Sequence, residues 1–586
     1  MLLFERNVEV DRLAKELDSA HAPPDALENQ VTLAWYLRQR DNAQACALTV
    51  QARATLSAIS ATLPPQKLQQ LQARLGLVDA ETHWLLSNFE TAMDTANRSL
   101  AVFTGCDDAV GCADANSIMA LVHSGHGNLL QRDQCLVAAA EYATSVGDTQ
   151  RVDYFEANRA RYSVLRDVRQ SNVVWDQRFA DDVSKFHPGV AASIHSYFAT
   201  RDYSTGNFAR AALRFDQAFE AANQSGQVLV AVVVAVNAGS TFESLNDHDA
   251  ALEWLQRGLD VARTTGWAVA LGPCLRQMAE IMHAMGRLDA AQTMLDEAMQ
   301  VYAPLRNSRN YGAVLTSLGE LAQARGDFTG ALAFYRQQVE RAQRLGQIDQ
   351  LVEAQTGMAS TLLQLGEDVE AEDAVVAALH AAQHQGAAIL EVSAKRLLAR
   401  IHAFRGNRAA AMECFEQALA TARKVDGYFI PSDLLLALAE EYAQVGRLAE
   451  AYRHAVLAGE ARERVLNQEA SNRATAMQVR MDTERARAES AFHRRQAEAE
   501  TRRAALLQQT SDTLKLLGAI GQEITSQLDK EHVFGVIERH MHGLLDASSF
   551  SIYLMDPDGQ GLTSVYDVEE GQRLPADHLR MDNTHS

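Results

Sequence analysis

Small and apolar residues recur every 40 positions over the segment that runs from about Pro188 to Gly459. One column holds only alanine, at Ala211, Ala251, Ala291, Ala331, Ala371, Ala411 and Ala451. Five residues before each alanine stands a glycine, or an asparagine in one copy: Gly206, Asn246, Gly286, Gly326, Gly366, Gly406 and Gly446. Four residues after each alanine stand Phe215, Leu255, Leu295, Tyr335, Val375, Phe415 and Ala455. Seven copies in strict register predict a tandem array of one folding unit.

The three columns predict that each unit is helix, turn, helix, turn. The glycine column falls where the first helix must stop in a left-handed conformation. The alanine column marks a close crossing of two helices, and the apolar column continues the same buried face one turn later. A second glycine column is expected to end the second helix, at Gly226, Gly266, Gly346 and Gly386. Arg306 interrupts that column, so we expect an unusual loop there, with Arg309, Asn310 and Tyr311 able to touch a partner.

This unit resembles the tetratricopeptide repeat through its G-x-[YFL]-x-x-A core. Two clear copies are GNFARA at residues 206–211 and GDFTGA at residues 326–331. The usual repeat has about 34 residues, so a period of 40 implies longer helices. The resemblance implies a superhelix in which each unit packs on its neighbours, with peptides binding on the concave face formed by the first helices.

The inward polar positions implied by this resemblance form a candidate partner-binding groove. They are Asn237, Ser240, Arg276, Gln277, Glu280, Thr316, Ser317 and Glu320. Asn237 takes the position at which carboxylate clamps of such repeats carry an asparagine, but the lysines of a clamp are not apparent in the neighbouring units. The expected ligand is a protein or peptide. The alternative for these residues is a solvated helix face.

The part before the array has a looser register. We interpret residues 1–187 as diverged helical hairpins of the same kind, with turns near Arg40–Asn42 and Ser87–Phe89. Residues 1–25 read as a short charged helix that ends at the Pro23–Pro24 pair.

The array stops in a distinctive way. Leu466 stands where the next terminal glycine is due, and no glycine or proline follows until Gly518. The last helix is therefore expected to continue through residues 460–516 as a long signalling helix, on the order of 100 Å from residue 451 to 517. Its distal end carries a heptad that predicts the seam of a parallel coiled-coil homodimer: Leu507, Leu514, Leu517, Ile524 and Leu528. A single solvated helix is the alternative.

After the heptad the pattern changes from helix to strand. A helix over 530–545 precedes an alternating strand over 549–555, a turn signal at 556–559 and a second strand over 562–568. The segments LGAIGQEITSQLD, HMHGLLDASSFSIYLMDPDG and LTSVYDVEEGQRLP resemble the start of a GAF domain. Only about half of such a domain is present, so the edge of the second strand is expected to be exposed unless it is paired.

The order of repeats, charged helix and GAF-like opening resembles the regulatory half of bacterial diguanylate cyclases. Those proteins end in a GGDEF domain that makes cyclic di-GMP, and this chain contains no GGDEF motif. We therefore expect no cyclase activity from this chain. We predict no catalytic, cofactor-binding or metal-binding residues.

Composition narrows the possible partners. A formal net charge of −21 disfavours nucleic acid, which needs a basic footprint. The longest apolar run is the nine residues of 228–236, far short of the roughly twenty that a bilayer span needs. We therefore expect a cytoplasmic protein without a membrane segment.

The predicted fold is all-α: a tetratricopeptide-repeat superhelix continued by a long coiled-coil helix and ending in a partial α+β GAF-like segment. The predicted boundaries are 1–187, 188–459, 460–516 and 517–586. The expected function is that of a sensory module of a diguanylate-cyclase-type signalling protein, which binds a protein or peptide and relays binding through the coil. The alternatives are an adaptor without enzymatic output and the input half of a histidine kinase.

Overall fold

A computed structural model describes residues 1–19, 23–164, 168–179, 183–425, 428, 430–526, 530–544, 549–569 and 571–580. By its internal contacts the chain forms two compact units, residues 1–481 and residues 482–586. The predicted domain boundaries stay predictions, since these contacts describe packing and not independent folding.

The first unit opens with a non-helical segment, residues 1–6, and continues as helices. The helices before the regular array are α1 (Asn7–Ser19), α2 (Pro23–Leu37), α3 (Asn42–Ala58), α4 (Pro65–Leu85), α5 (Phe89–Gly105), α6 (Ala109–His126), α7 (Leu129–Ser145), α8 (Thr149–Val164) and α9 (Val168–Trp175). The expectation that Pro23–Pro24 ends a helix is wrong, because Pro23 begins α2. Proline suits a first helical turn, where its missing N–H has no intrahelical partner in any case.

The regular array is a run of helical pairs, as predicted. Its helices are α10 (Pro188–Ser204), α11 (Phe208–Gln224), α12 (Val228–Ser244), α13 (His248–Thr265), α14 (Ala268–Ala284), α15 (Leu288–Tyr302), α16 (Arg309–Ala324), α17 (Phe328–Leu345), α18 (Ile348–Leu365), α19 (Asp368–Gln385), α20 (Ala388–Phe404), α21 (Arg408–Ala422), α22 (Ser432–Gln444) and α23 (Leu448–Ser526). The 79 residues of α23 confirm that the last helix does not stop where the repeat period would end it.

The repeat columns take the roles that their chemistry predicts. The glycines of the turn column have positive φ angles, such as +77° at Gly326, and Asn246 adopts +58° in their place. The alanine column is buried throughout. The apolar column is buried up to Phe415, whereas Ala455 is exposed, because α23 is the last helix of the array and no described helix covers that face.

The same substitution at two glycines should have opposite effects on stability. Gly326→Ala should destabilise the fold by about 1–2 kcal/mol, because φ is +77° there and a Cβ strains that conformation. Gly459→Ala should stabilise by roughly 0.5–1 kcal/mol, because Gly459 lies in the exposed helical part of α23 with open space around it. Urea unfolding followed by circular dichroism measures the free energy of unfolding of both variants. If both substitutions changed it in the same direction, the different backbone roles given to Gly326 and Gly459 would be contradicted.

A buried arginine stabilises the loop in which Arg306 stands at the expected glycine position. Arg341 on α17 donates from Nε to the carbonyl of Arg306 (2.7 Å) and from Nη2 to the carbonyl of Asn307 (3.1 Å). It also donates to the carbonyl of Ser308 and, at 2.9 Å, to Gln347 Oε1. Burial, followed by the charge of Arg344, lowers the pKa of Arg341 to about 10. The guanidinium thus donates hydrogen bonds to the backbone carbonyls of this loop, which has no glycine to form the usual turn.

The second unit combines the distal part of α23 with α24 (Lys530–Leu544) and a small antiparallel sheet. Its strands are β1 (Ser549–Met555), β2 (Gly561–Glu569), β3 (Gln572–Arg573) and β4 (His578–Arg580). The edge of β2, which was expected to be exposed unless it is paired, is paired: β2 pairs with β1 on one side and with β3 and β4 on the other. Helix α24 packs on this sheet, where Tyr566 donates to Glu538 (2.7 Å).

Candidate partner-binding groove

The first helices of successive units form the inner layer of the array. Helix α12 contacts α14, α14 contacts α16, and α16 contacts α18. Between this layer and the early helices lies a cavity of about 650 Å³. Asn237 and Ser240, two of the predicted groove residues, line it together with Val230, Val233 and Val236 of α12.

The valines explain the apolar run of residues 228–236. Val234 is buried in the array core at 0% exposure, and Val232, at 1%, is buried where the core meets the cavity. Val230, Val233 and Val236 are only partly buried and face the cavity instead. Helix α12 thus has two apolar sides. One side packs in the array core, and the other forms the floor of the cavity.

The opposite wall comes from the early hairpins. Trp84, Phe89, Leu121 and Tyr154 supply its apolar and aromatic surface. Its cationic group is Arg161 on α8, whose Nη2 donates to the hydroxyl of the neighbouring Tyr162 at 3.0 Å. The cavity is thus mostly apolar with a few polar groups at its rim, as small-ligand and side-chain pockets usually are.

Further along the groove, four of the other predicted residues form a polar network made of two separate sets of contacts. Arg276 pairs with Glu280 one turn later on α14. Ser317 on α16 donates to Glu280 (3.1 Å), and Gln277 on α14 donates to Glu243 on α12 (2.9 Å). These bonds join the first helices of three successive units. Thr316 donates to a carbonyl of its own helix, at Gly312 (3.4 Å), so it takes no part in this network.

Carboxylates dominate the electrostatics of this stretch. The groove's low hydration, followed by the charges of Glu280 and Glu353, raises the pKa of Glu320 to about 7. Burial and the charge of Glu280 also raise the pKa of Glu243, and burial and Asp349 raise that of Glu353. Arg276 is the one cation that opposes the shift of Glu320. Glu243, Glu280, Glu320 and Glu353 thus form an acidic row that holds more negative charge than Arg276 neutralises.

Sequence reasoning missed part of this surface. Glu243 lies one turn after Ser240 and Glu353 belongs to the next unit, so both could have been found by extending the inward positions by one turn and one repeat. The wall formed by Trp84, Phe89 and Tyr154 could not have been found from the sequence. The early hairpins do not follow the 40-residue repeat, so no sequence pattern places them opposite α12. The predicted groove residues thus split between two neighbouring regions, the valine cavity and the acidic row.

Within the described part of the chain, no group of three His, Cys, Asp or Glu side chains is placed to hold a metal ion. Nor does any described helix combine the length and apolarity needed to cross a bilayer.

Comparison with known proteins supports the repeat type. Residues 273–344, which cover most of α14 to α17, match the family model of the tetratricopeptide repeat. No curated protein matches the chain.

Solved structures match the chain at low identity. The chain is similar to a Rap protein complexed with competence and sporulation factor, at 12% identity over 68% of this chain and 99% of that one, with a TM-score of 0.44. It is similar to the apo form of the quorum sensor NprR from B. thuringiensis, at 14% identity over 60% and 98%, with a TM-score of 0.42. The third is BtubC from P. vanneervenii, at 20% identity over 36% and 89%, with a TM-score of 0.33.

Proposed function

We propose that this chain is the sensory and relay part of a bacterial signalling protein of the diguanylate-cyclase type, itself without catalytic activity. The concave groove binds a peptide or an extended protein segment, and α23 carries the response. The observation that carries the proposal is the continuity of α23, which begins as the last helix of the array and runs to Ser526. The arrangement of α24, β1 and β2 after it is in keeping with the GAF opening that such proteins place behind a signalling helix.

The groove favours a ligand with apolar side chains next to basic ones. The valine floor offers apolar surface that is already partly desolvated, so an apolar side chain gains burial there. The neighbouring acidic row carries Glu320 and Glu353, whose side chains are open to the groove although the surrounding helices reduce their hydration, and neither has a salt-bridge partner among the described residues. Lysine or arginine side chains of a ligand would satisfy this charge.

The distal part of α23 supports dimerisation through the predicted seam. Leu507, Leu514 and Leu517 are 61%, 63% and 53% exposed in the single chain. Ile524 lies on the same helix, and Leu528 lies outside the described residues. Large apolar side chains at heptad spacing on a solvated helix gain burial when a second copy packs against them. We propose a parallel homodimer on this basis.

Selection of random 12-residue peptides on the purified chain tests the groove. We expect the selected peptides to bind the unmodified chain and the Val50→Asp variant, in which the substituted side chain is exposed on α3. They should lose at least about tenfold in affinity for Val233→Asp, which puts a charge on the cavity floor. Peptides that bind Val233→Asp as well as the unmodified chain would place the site elsewhere.

Binding of such a basic peptide should strengthen as the pH rises. The pKa of Glu320 is about 7, so this carboxyl is mostly neutral at pH 6 and mostly charged at pH 8. One added charge in a partly solvated groove is expected to improve affinity about two- to fivefold. Titration calorimetry at both pH values measures the change, and Glu320→Gln should remove most of it. A pH dependence that survives in Glu320→Gln would assign the effect to another group.

A further inference from the structure

The first six residues lie inside the first unit as an extended peptide would lie in a receptor. Leu3 and Phe4 are 3% and 6% exposed, whereas Met1 and Leu2 are 47% and 42% exposed. The segment contains no helix or strand, and it passes between α2, α8 and the start of α10. Its two buried side chains are therefore flanked by solvated ones.

Side chains of α2, of the turn after it and of α8 bind its backbone. Five consecutive carbonyls, of residues 1 to 5, each accept a hydrogen bond from a side chain. In chain order the donors are Arg151 (3.2 Å), Trp35 (3.2 Å), Arg38 (3.2 Å), Gln150 (3.2 Å) and Arg40. Gln150 Oε1 also accepts from the amide of Leu3 (2.8 Å). One side-chain amide thus pairs with both a donor and an acceptor of the segment, as a neighbouring strand would.

A pocket takes the ring of Phe4. Tyr154 meets it edge to face with ring centres 4.9 Å apart, and the guanidinium of Arg38 lies 5.3 Å from its centre. The ring lies against the bare backbone of Gly189, where an added Cβ would come within 2.6 Å of it. The site therefore has both backbone recognition and a side-chain pocket.

The early helices hold two of the binding groups, Arg38 and Arg151, in place without help from the segment. Arg38 donates from Nε to Glu81 (2.8 Å) and from Nη1 to the carbonyl of Trp35 (2.6 Å). Arg151 donates to Asp114 and Asp148. These carboxylates belong to α4, α6 and the turn before α8, so the arginines stay oriented when the segment leaves. A preorganised site of this kind binds a ligand at lower entropic cost.

We propose that α2, α8 and the start of α10 form a second peptide-binding site, for an extended segment with two adjacent large apolar residues, and that residues 1–6 occupy it in cis. This site is separate from the valine cavity, although Tyr154 borders both. A tethered occupant is present at an effective concentration in the millimolar range, so a peptide supplied in trans must compete with it.

Peptide binding to the full chain tests this site, with MLLFER, the sequence of residues 1–6, labelled at its C-terminus as the probe. The unmodified chain should bind it weakly, because its own segment fills the site. The Phe4→Asp chain should bind at least about tenfold tighter, because its segment no longer competes. A probe peptide with Asp in place of Leu3 and Phe4 should bind at least about tenfold weaker than MLLFER.

Two further variants separate binding from folding. Gln150→Ala, added to Phe4→Asp, should weaken MLLFER binding, whereas Gln131→Ala on the exposed face of α7 should not. If Phe4→Asp keeps the helical circular dichroism of the unmodified chain and still does not bind MLLFER, the proposal is wrong. If Phe4→Asp and the milder Phe4→Ser both lose the helical signal, the segment is part of the core and the proposal is equally wrong.

Discussion

Replacing Asp114 with alanine is expected to destabilise the first unit by about 3–5 kcal/mol. Asp114 is 1% exposed on α6 and accepts hydrogen bonds from Arg151 at 2.8 and 2.9 Å and from Arg74. Both guanidiniums are buried as well, so the substitution leaves two cations with much of their countercharge removed. Urea unfolding followed by circular dichroism measures the loss.

The matched control for this substitution is Asp94→Ala. Asp94 pairs with Arg98 one turn away, but its side chain is 69% exposed, so its loss should cost less than about 0.5 kcal/mol. An effect of Asp114→Ala as small as that of Asp94→Ala would mean that the buried network does not hold the early hairpins together.

The pH dependence of the Asp114 effect has a definite sign. Burial alone would raise the pKa of Asp114, but Arg151 and Arg74 outweigh it, so the pKa lies below the usual 3.8. A carboxyl with a depressed pKa in the folded state stabilises the protein above the pKa of the unfolded chain, and that contribution is lost as the pH falls through the folded pKa. The stability difference between the unmodified chain and Asp114→Ala should therefore be full above about pH 4 and narrow below it.

Leu514→Asp combined with Leu517→Asp is expected to convert a dimer to a monomer. Two charges per chain in the proposed seam would be buried against two from the partner copy, which abolishes the apolar contact. Sedimentation equilibrium at micromolar concentration should give twice the chain mass of 64.3 kDa for the unmodified protein and the single chain mass for the variant.

The control for the seam uses leucines of the same helix. Leu466 and Leu516 are 52% and 42% exposed, and the heptad places both on the outward side. Leu466→Asp with Leu516→Asp should therefore stay dimeric. A monomeric mass for the unmodified chain would contradict the parallel coiled coil outright.

The regular array could be predicted because its columns report backbone geometry directly. Gly326 and its equivalents stand where the chain needs a positive φ angle, and Asn246 replaces one of them because asparagine tolerates that conformation. The absence of a glycine at Leu466 correctly predicted that α23 continues. Each of these signals is local, so one sequence is enough to read it.

The packing of the early hairpins and the second proposed peptide site could not be predicted in the same way. Residues 1–6 look like the start of a charged helix, and only contacts with α2 and α8, some 30 to 150 residues away, hold them extended. The role of Arg341 could not be predicted either, since it depends on a loop about 35 residues earlier in the chain. The strands β3 and β4 are too short to carry a pattern, which is why the sequence could not predict what pairs with the edge of β2.

The affinity of one selected peptide for a charge-reversed groove tests the central claim most directly. The variant carries Glu320→Lys and Glu353→Lys, and the control carries Asp373→Lys and Glu413→Lys, exposed positions on the second helices α19 and α21. Both variants change the net charge equally, so a general electrostatic effect would appear in both. If the acidic row binds the ligand, calorimetry should show at least about tenfold weaker binding for the groove variant and less than about twofold for the control. Equal affinities for the two variants would contradict a peptide-binding groove at this place.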